Sequence, residues 1–263
     1  MPLPGSCCRR EPRTSGAWLD PPVNSLSFGG IRVDDVTLDE AVALAEGFVR
    51  DGEPRQIATI NPEFVMAAQR DDAFRETLAN AALCVPDGVG LMWGSRLLRK
   101  PLRGRATGVD LVWQLSELAS RQGWSVFLLG GRQGAGAATA QRLQARYPSL
   151  RAAGVYEGHP NDPEAEGRVK AARPDILFVA YGAPAQDVWI HRRQAALGVP
   201  LAMGVGGSFD YIAGRAKRAP GWLRQLGLEW LYRLAHEPWR WRRMTALPRF
   251  AILVMKQRRQ ERR

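Results

Sequence analysis

The sequence predicts an α/β protein built on a largely parallel sheet, and three observations carry that prediction. Strand-like and helix-period segments alternate along most of the chain. Several of the strand-like segments, WSVFLL and DILFVA among them, are apolar almost throughout, the pattern of strands covered by helices on both faces. Polar or glycine-rich residues stand where these strands end, which is where open parallel sheets bind ligands.

Residues 1–27, rich in Pro, Ser and Arg and without periodicity, read as a flexible leader. From Ile31 the strand IRVDDV leads to Thr37, an N-cap with Glu40 three residues on, and into the helix LDEAVALAEGFVR. RQIATI is a strand that stops at Asn61-Pro62, and EFVMAAQRDDAFRETLANA follows as one helix. ALCVPD is a short strand, GVGLMWGSRLL a helix, RKPLRGRATG a loop and VDLVWQLSELASRQG a helix. The alternation continues through strand WSVFLLGG, helix GAGAATAQRLQARYP, strand RAAGVYEG, helix DPEAEGRVKAARP, strand DILFVAYG, helix AQDVWIHRRQAALG and strand PLAMGVGG. The α/β domain therefore spans residues 28–213, and residues 214–263 form a separate appendage.

Composition narrows the function classes. With 263 residues and 45% hydrophobic side chains, the chain can bury one substantial core. Three cysteines, Cys7, Cys8 and Cys84, are too few and too irregularly spaced for a disulfide framework or a thiolate zinc site, which predicts a reducing, cytoplasmic setting. No segment reaches the roughly 18 to 20 apolar residues of a membrane span, and no apolar stretch follows the basic N-terminus as in a signal peptide. The charge is uneven: residues 214–263 carry 14 Lys and Arg against three Glu, which is the whole net charge of +11, so a neutral body bears a cationic tail.

The strand ends supply the candidate site. They are Thr59 with Asn61, Asp87, the stretch from Gly130 to Gly136, Gly182 to Gln186, and Gly204 to Asp210, and a parallel sheet would gather them on one rim. Asp87 either caps the helix that follows it or, half-buried in a cleft, takes a proton from an alcohol during group transfer. Thr59, Asn61 and Arg105, a hydroxyl, an amide and a guanidinium beside other strand ends, favour the second role. FLLGGRQGAGAATA, with Gly130 and Gly131, is either a cradle for a nucleotide diphosphate or a tight strand-to-helix turn. Its glycine order is not that of a dinucleotide fold, so no nicotinamide or other cofactor is expected. GVGGSFDYIAG, with Gly206 and Asp210, offers a second close backbone approach. His159, His191 and His236 are scattered and read as incidental, and no Asp-x-Asp or His/Asp cluster offers a metal site.

Four of the nine tryptophans, Trp222, Trp230, Trp239 and Trp241, lie among the arginines of the tail. That composition suits a helix in the headgroup layer of an anionic membrane and also a nucleic-acid surface. The apolar groups FAILVM and LEWLY favour the membrane over nucleic acid, since a solvated groove has no use for them.

Taken together, these residues resemble the WecG/TagA/CpsF family of bacterial glycosyltransferases over about residues 28–245. The resemblance rests on Thr59 to Asn61, Pro86-Asp87-Gly88, Arg105 to Asp110, FLLGG, Gly182 to Gln186, GVGGSFDYIAG, Arg218 to Pro220 and LEWLYRL followed by EPWRWRR. It implies a Rossmann-like fold and a metal-independent, inverting transfer of a hexose or N-acetylhexosamine-type sugar from a UDP-sugar to a polyprenyl-diphosphate-linked acceptor. It also implies Asp87 as general base, Thr59, Asn61 and Arg105 in the same pocket, Gln186 near the nucleotide, Arg218 holding diphosphate, and an appendage that brings the enzyme to the cytoplasmic membrane. Homo-oligomerisation stays open. The family commonly has Pro-Lys-Gln-Glu where this chain has Pro184-Ala185-Gln186-Asp187. An Arg- and Ala-rich chain points first to exopolysaccharide or capsule synthesis, with N-acetylmannosamine or N-acetylmannosaminuronate transfer for teichoic acid or common antigen as the alternative.

Overall fold

The structure, a computed structural model, describes residues 23–216, 219–221, 223, 229–236 and 244–261. It opens on a hairpin, β1 (Ser25–Phe28) and β2 (Ile31–Asp34), paired antiparallel. The two-residue link Gly29-Gly30 has φ of 57° and 85°, the doubly left-handed turn that matches the twist of a tight hairpin and that glycine adopts without strain. The sequence predicted β2 and missed β1, because four residues with one buried apolar end carry too little periodicity to recognise.

Six further strands follow: β3 (Arg55–Ile60), β4 (Leu83–Pro86), β5 (Ser125–Gly130), β6 (Arg151–Tyr156), β7 (Ile176–Ala180) and β8 (Leu201–Gly204). They form one sheet in the order β4-β3-β8-β7-β5-β6, and every pairing is parallel. The expected α/β class with a largely parallel sheet is therefore what the chain adopts. Between the strands run α1 (Leu38–Asp51), α2 (Pro62–Ala68), α3 (Asp72–Asn80), α4 (Val89–Leu97), α5 (Gly108–Gln122), α6 (Ala135–Arg146), α7 (Pro163–Ala172) and α8 (Ala185–Leu197). After β8 come α9 (Ser208–Ile212), α10 (Glu229–His236) and α11 (Ala246–Gln260).

Strand alternation divides the core. In β5, Val126 and Leu128 face a cluster with Ala45, Leu111, Leu115, Phe178 and Met203, while Phe127 and Leu129 face Leu177, Val179, Trp189 and Ile190. Residues on both sides are buried, which is why these strands read as continuous apolar runs.

Helix α1 starts with the capping box expected of Thr37 and Glu40: each side chain accepts a bond from the other's backbone N–H. The helix expected over residues 63–81 is instead two. Asp71 accepts a bond from the Phe74 N–H at 3.0 Å and so caps a second helix, an arrangement that helical periodicity across the break concealed.

The C-terminal segment is not all peripheral. Helix α11 buries Phe250 and Val254 in a cluster with Phe28, Ile60, Phe64 and Leu91, and packs on α2, α4 and β1. Gln257 fastens it to the hairpin, accepting from the Gly29 N–H at 3.2 Å and donating to the Ser27 carbonyl at 2.8 Å. Its other face leaves Ile252 and Met255 50% and 44% exposed. Among the described residues, no helix is long and apolar enough to cross a membrane.

Candidate active site

The C-terminal ends of β3, β4, β7 and β8 converge on one cavity of about 430 Å³. Local chain chemistry places each of its polar groups. Asn61 leaves β3 as the N-cap of α2, its side-chain oxygen accepting from the Phe64 N–H at 3.0 Å, with Pro62 in the first turn where a missing N–H costs nothing. Thr59, two residues earlier, is buried beside it.

Parallel pairing sets Ile60 opposite Pro86, so the next residue, Asp87, falls beside Asn61 and donates its backbone N–H to the Ile60 carbonyl at 2.6 Å. Gly88, at φ 93°, then turns the chain with its Cα facing Asn61 and serves as the N-cap of α4 without a side-chain bond. The reading of Asp87 as a helix cap is thereby corrected: the capping position belongs to Gly88. Asp87 is half-buried at the cavity wall.

Arg105 reaches the same wall because the loop bearing it is tied at two points. The Ala106 N–H donates to the Pro86 carbonyl at 2.9 Å, and Thr107 caps α5, accepting from the Asp110 N–H at 3.2 Å and donating to the Asp110 carboxylate at 2.6 Å. Across the cavity, one side-chain oxygen joins two glycine loops: Oε1 of Gln186 accepts from the Gly182 N–H at 3.1 Å and from the Gly206 N–H at 2.9 Å. Gln186 is buried and thus shapes the cavity as well as lining it.

Thr59, Asn61, Asp87, Arg105, Gly182, Gln186 and Gly206 are all brought together in the cavity wall. Gly130, Gly131 and Asp210 lie outside that lining. Gly130, at φ 87°, is pressed against β7, where an added Cβ would sit 2.9 Å from the Ala180 backbone; Gly131 donates its N–H to the Ala180 carbonyl at 3.2 Å. These contacts account for both glycines as a tight strand-to-helix turn. In the same turn the Gly134 N–H is already engaged by the Glu157 carboxylate. Asp210 is exposed in the first turn of α9. Arg218 lies outside the described residues.

The cavity also has walls that the sequence did not announce. Glu63 and Tyr211 contribute from the body, and Trp230, Met244 and Leu247 from the C-terminal segment, while Ser208, also in the wall, belongs to the expected stretch from Gly204 to Asp210. The signal for Trp230 was present in LEWLY, where it is shared by a membrane-facing helix, whereas Met244 and Leu247 fall outside both apolar groups of the tail. Among the described residues no group of three or more His, Cys, Asp or Glu side chains stands close enough to hold a metal ion.

Replacing Gln186 by Leu removes the acceptor of both loop N–H groups while keeping an apolar side chain of similar size. The expected loss is about 1 to 3 kcal/mol of stability, read from urea denaturation, with a fall in activity as the two loops separate.

Comparison with known proteins is consistent along nearly the whole chain. The model of the glycosyl transferase WecG/TagA/CpsF family matches residues 26–263. A protein of Bacillus subtilis strain 168 named N-acetylglucosaminyldiphosphoundecaprenol N-acetyl-beta-D-mannosaminyltransferase is 35% identical over 202 residues, 76% of this chain and 79% of the relative. A protein of the same name from Bacillus spizizenii is 34% identical over 236 residues, 89% of this chain and 90% of the relative. Another from Staphylococcus aureus strain MRSA252 is 32% identical over 234 residues, 88% and 92% of the two chains. With its parallel sheet and strand-end cavity, this chain belongs to the WecG/TagA/CpsF family of glycosyltransferases.

Proposed function

We propose that the enzyme transfers N-acetylmannosamine from UDP-N-acetylmannosamine to an N-acetylglucosamine carried on polyprenyl diphosphate, with inversion and without a metal ion. The observation that carries this reading is the cavity itself, which sets the Asp87 carboxylate beside Asn61, Thr59 and Arg105 and opposite the paired loops of Gly182 and Gly206. The names of the relatives favour transfer of N-acetylmannosamine to N-acetylglucosaminyl-diphosphoundecaprenol, the alternative reading, over the exopolysaccharide assignment suggested by composition.

In the proposed step the acceptor hydroxyl oxygen attacks the anomeric carbon from the face opposite UDP. Its proton passes to the Asp87 carboxylate as the new C–O bond forms. The bond from the anomeric carbon to the β-phosphate oxygen breaks, and its electron pair leaves with UDP. Arg105 stabilises that developing charge, the part a metal plays in many other transferases. The polyprenyl chain would lie at the cytoplasmic membrane surface, where the cationic segment 214–263 is attracted to anionic headgroups and the exposed Ile252 and Met255 can enter the interface.

The test is UDP release from UDP-N-acetylmannosamine with a synthetic polyprenyl-diphosphate N-acetylglucosamine acceptor, with and without EDTA. Release that needs the acceptor and is indifferent to EDTA is expected. Release from UDP-glucose but not UDP-N-acetylmannosamine would return the assignment to exopolysaccharide synthesis.

A further inference from the structure

We propose that Asp187 is a positioning residue that works as a neutral carboxylic acid, holding the Gln186 amide, and through it both glycine loops, in the geometry that receives the donor diphosphate. Asp187 follows Gln186 in the first turn of α8 and is completely buried. Both side chains converge on Gly204: a Cβ added there would stand 2.6 Å from Nε2 of Gln186 and 2.7 Å from Oδ1 of Asp187. The space left by that glycine is where the amide and the acid lie side by side.

Neither carboxyl oxygen of Asp187 has a hydrogen-bond partner among the described residues. Gln56 on β3 donates to the Asp187 backbone carbonyl at 3.2 Å, and its own Oε1 has no partner among the described residues. A fully buried, uncompensated carboxylate is far more costly than the neutral acid, so the group stays protonated unless pH forces it to ionise. Burial accordingly moves its titration up to about 7, against a smaller lowering by the Gln186 amide, which lies close without hydrogen-bonding geometry.

Among the described residues no cation offsets this. Helix α8 packs on β3, β7, β8, α3 and α7. The titratable group that feels Asp187 is Cys84 of β4, the strand beyond β3, itself pushed up to about 12 by burial and therefore neutral. Behind Cys84, Arg32 and Asp34 pair with each other at 3.2 Å. On the outer side of α8, Arg193 pairs with Glu166 of α7. As a neutral acid lying against the Gln186 amide, Asp187 needs only a small turn of either side chain to accept from Nε2, which holds Oε1 of Gln186 toward the loops. Once ionised it keeps only acceptors and places a negative charge beneath loops that, on the reading above, surround a diphosphate.

The sign of the folding effect follows. Between the ordinary carboxylate value of 3.8 and about 7, the folded chain holds a proton that the unfolded chain has released. Asp187 therefore makes stability fall as pH rises through that window and level off above it.

Two measurements test the proposal, and only the second rests on the donor assignment. Urea denaturation of wild type and Asp187→Asn is followed from pH 5 to 8: wild type is expected to lose stability relative to the variant as pH rises to about 7. A difference that is flat or of opposite sign overturns the neutral-acid assignment, as does a wild-type curve that does not fall if the variant fails to fold. UDP affinity is then titrated at pH 6 and 8.5, the variant correcting for ionisation of UDP itself. Wild type should weaken about ten-fold more than Asp187→Asn, and Asp187→Leu, which cannot hydrogen-bond, should bind about ten-fold more weakly than Asp187→Asn at both values. Equal pH dependence in wild type and Asn, or equal affinity in Asn and Leu, overturns the positioning role. Absence of UDP binding by any form at either pH overturns the donor assignment and the positioning role, and leaves the urea series to decide the protonation state.

Discussion

Asp87→Asn is expected to lower kcat by about 10²- to 10⁴-fold, the usual contribution of a general base, while the affinity for UDP changes by less than about three-fold. The substitution exchanges one carboxyl oxygen for an amide nitrogen and leaves the shape of the cavity alone. The Asp87 N–H bond to the Ile60 carbonyl belongs to the backbone and survives, and α4 is capped by Gly88 rather than by the side chain, so no helix cap is lost. What disappears is the ability to take a proton from an alcohol at the cavity wall. The result is read from steady-state UDP release, with UDP titration of the same preparation confirming an intact site. Turnover near that of wild type would remove Asp87 from the chemistry and direct attention to Glu63, the other carboxylate in the lining. Arg105→Ala should behave differently, weakening UDP binding as well as turnover, because a guanidinium that meets a diphosphate does so in the ground state as well as in the transition state.

The sheet was legible because its signal is local. Val126 to Leu129 are apolar at four successive positions, and such a run between glycine-rich turns has few readings other than a strand covered on both faces. The start of α1 was legible for the same reason: Thr37 and Glu40 satisfy each other within four residues. Strand ends then located Thr59, Asn61, Asp87, Arg105, Gly182, Gln186 and Gly206, since a parallel sheet gathers its C-terminal ends by construction.

The rest depends on partners distant in sequence. Nothing adjacent to Gly130 shows that it is pressed against Ala180, so a backbone constraint resembled a phosphate cradle. Gln186 resembled a ligand contact, whereas its oxygen spans 20 residues to reach Gly206. Asp187 gave no sign that it would be buried without a partner, because an acid in the first turn of a helix is ordinarily a solvated complement to the helix dipole.

Phe250→Ala is expected to cost about 3 to 5 kcal/mol of stability, a large part of what a domain of this kind has in reserve. The ring is 3% exposed, lies 5.5 Å from the ring of Phe28, and fills a space so close to α4 that a Cβ on Gly94 would stand 3.1 Å from it. Ile252, two residues on and half-exposed, should cost no more than about 0.5 kcal/mol when replaced by Ala. The contrast between these neighbours separates two accounts of the C-terminal segment. If FAILVM were simply a membrane element, Phe250 and Ile252 would be equivalent in the absence of a membrane and neither would matter to urea denaturation. If α11 is part of the core with one face turned outward, Phe250→Ala destabilises the fold, while Ile252→Glu leaves denaturation unchanged and weakens sedimentation with anionic vesicles. Sedimentation unaffected by Ile252→Glu would remove α11 from the proposed membrane contact, without disturbing the role of Phe250 in closing the hydrophobic cluster behind the cavity.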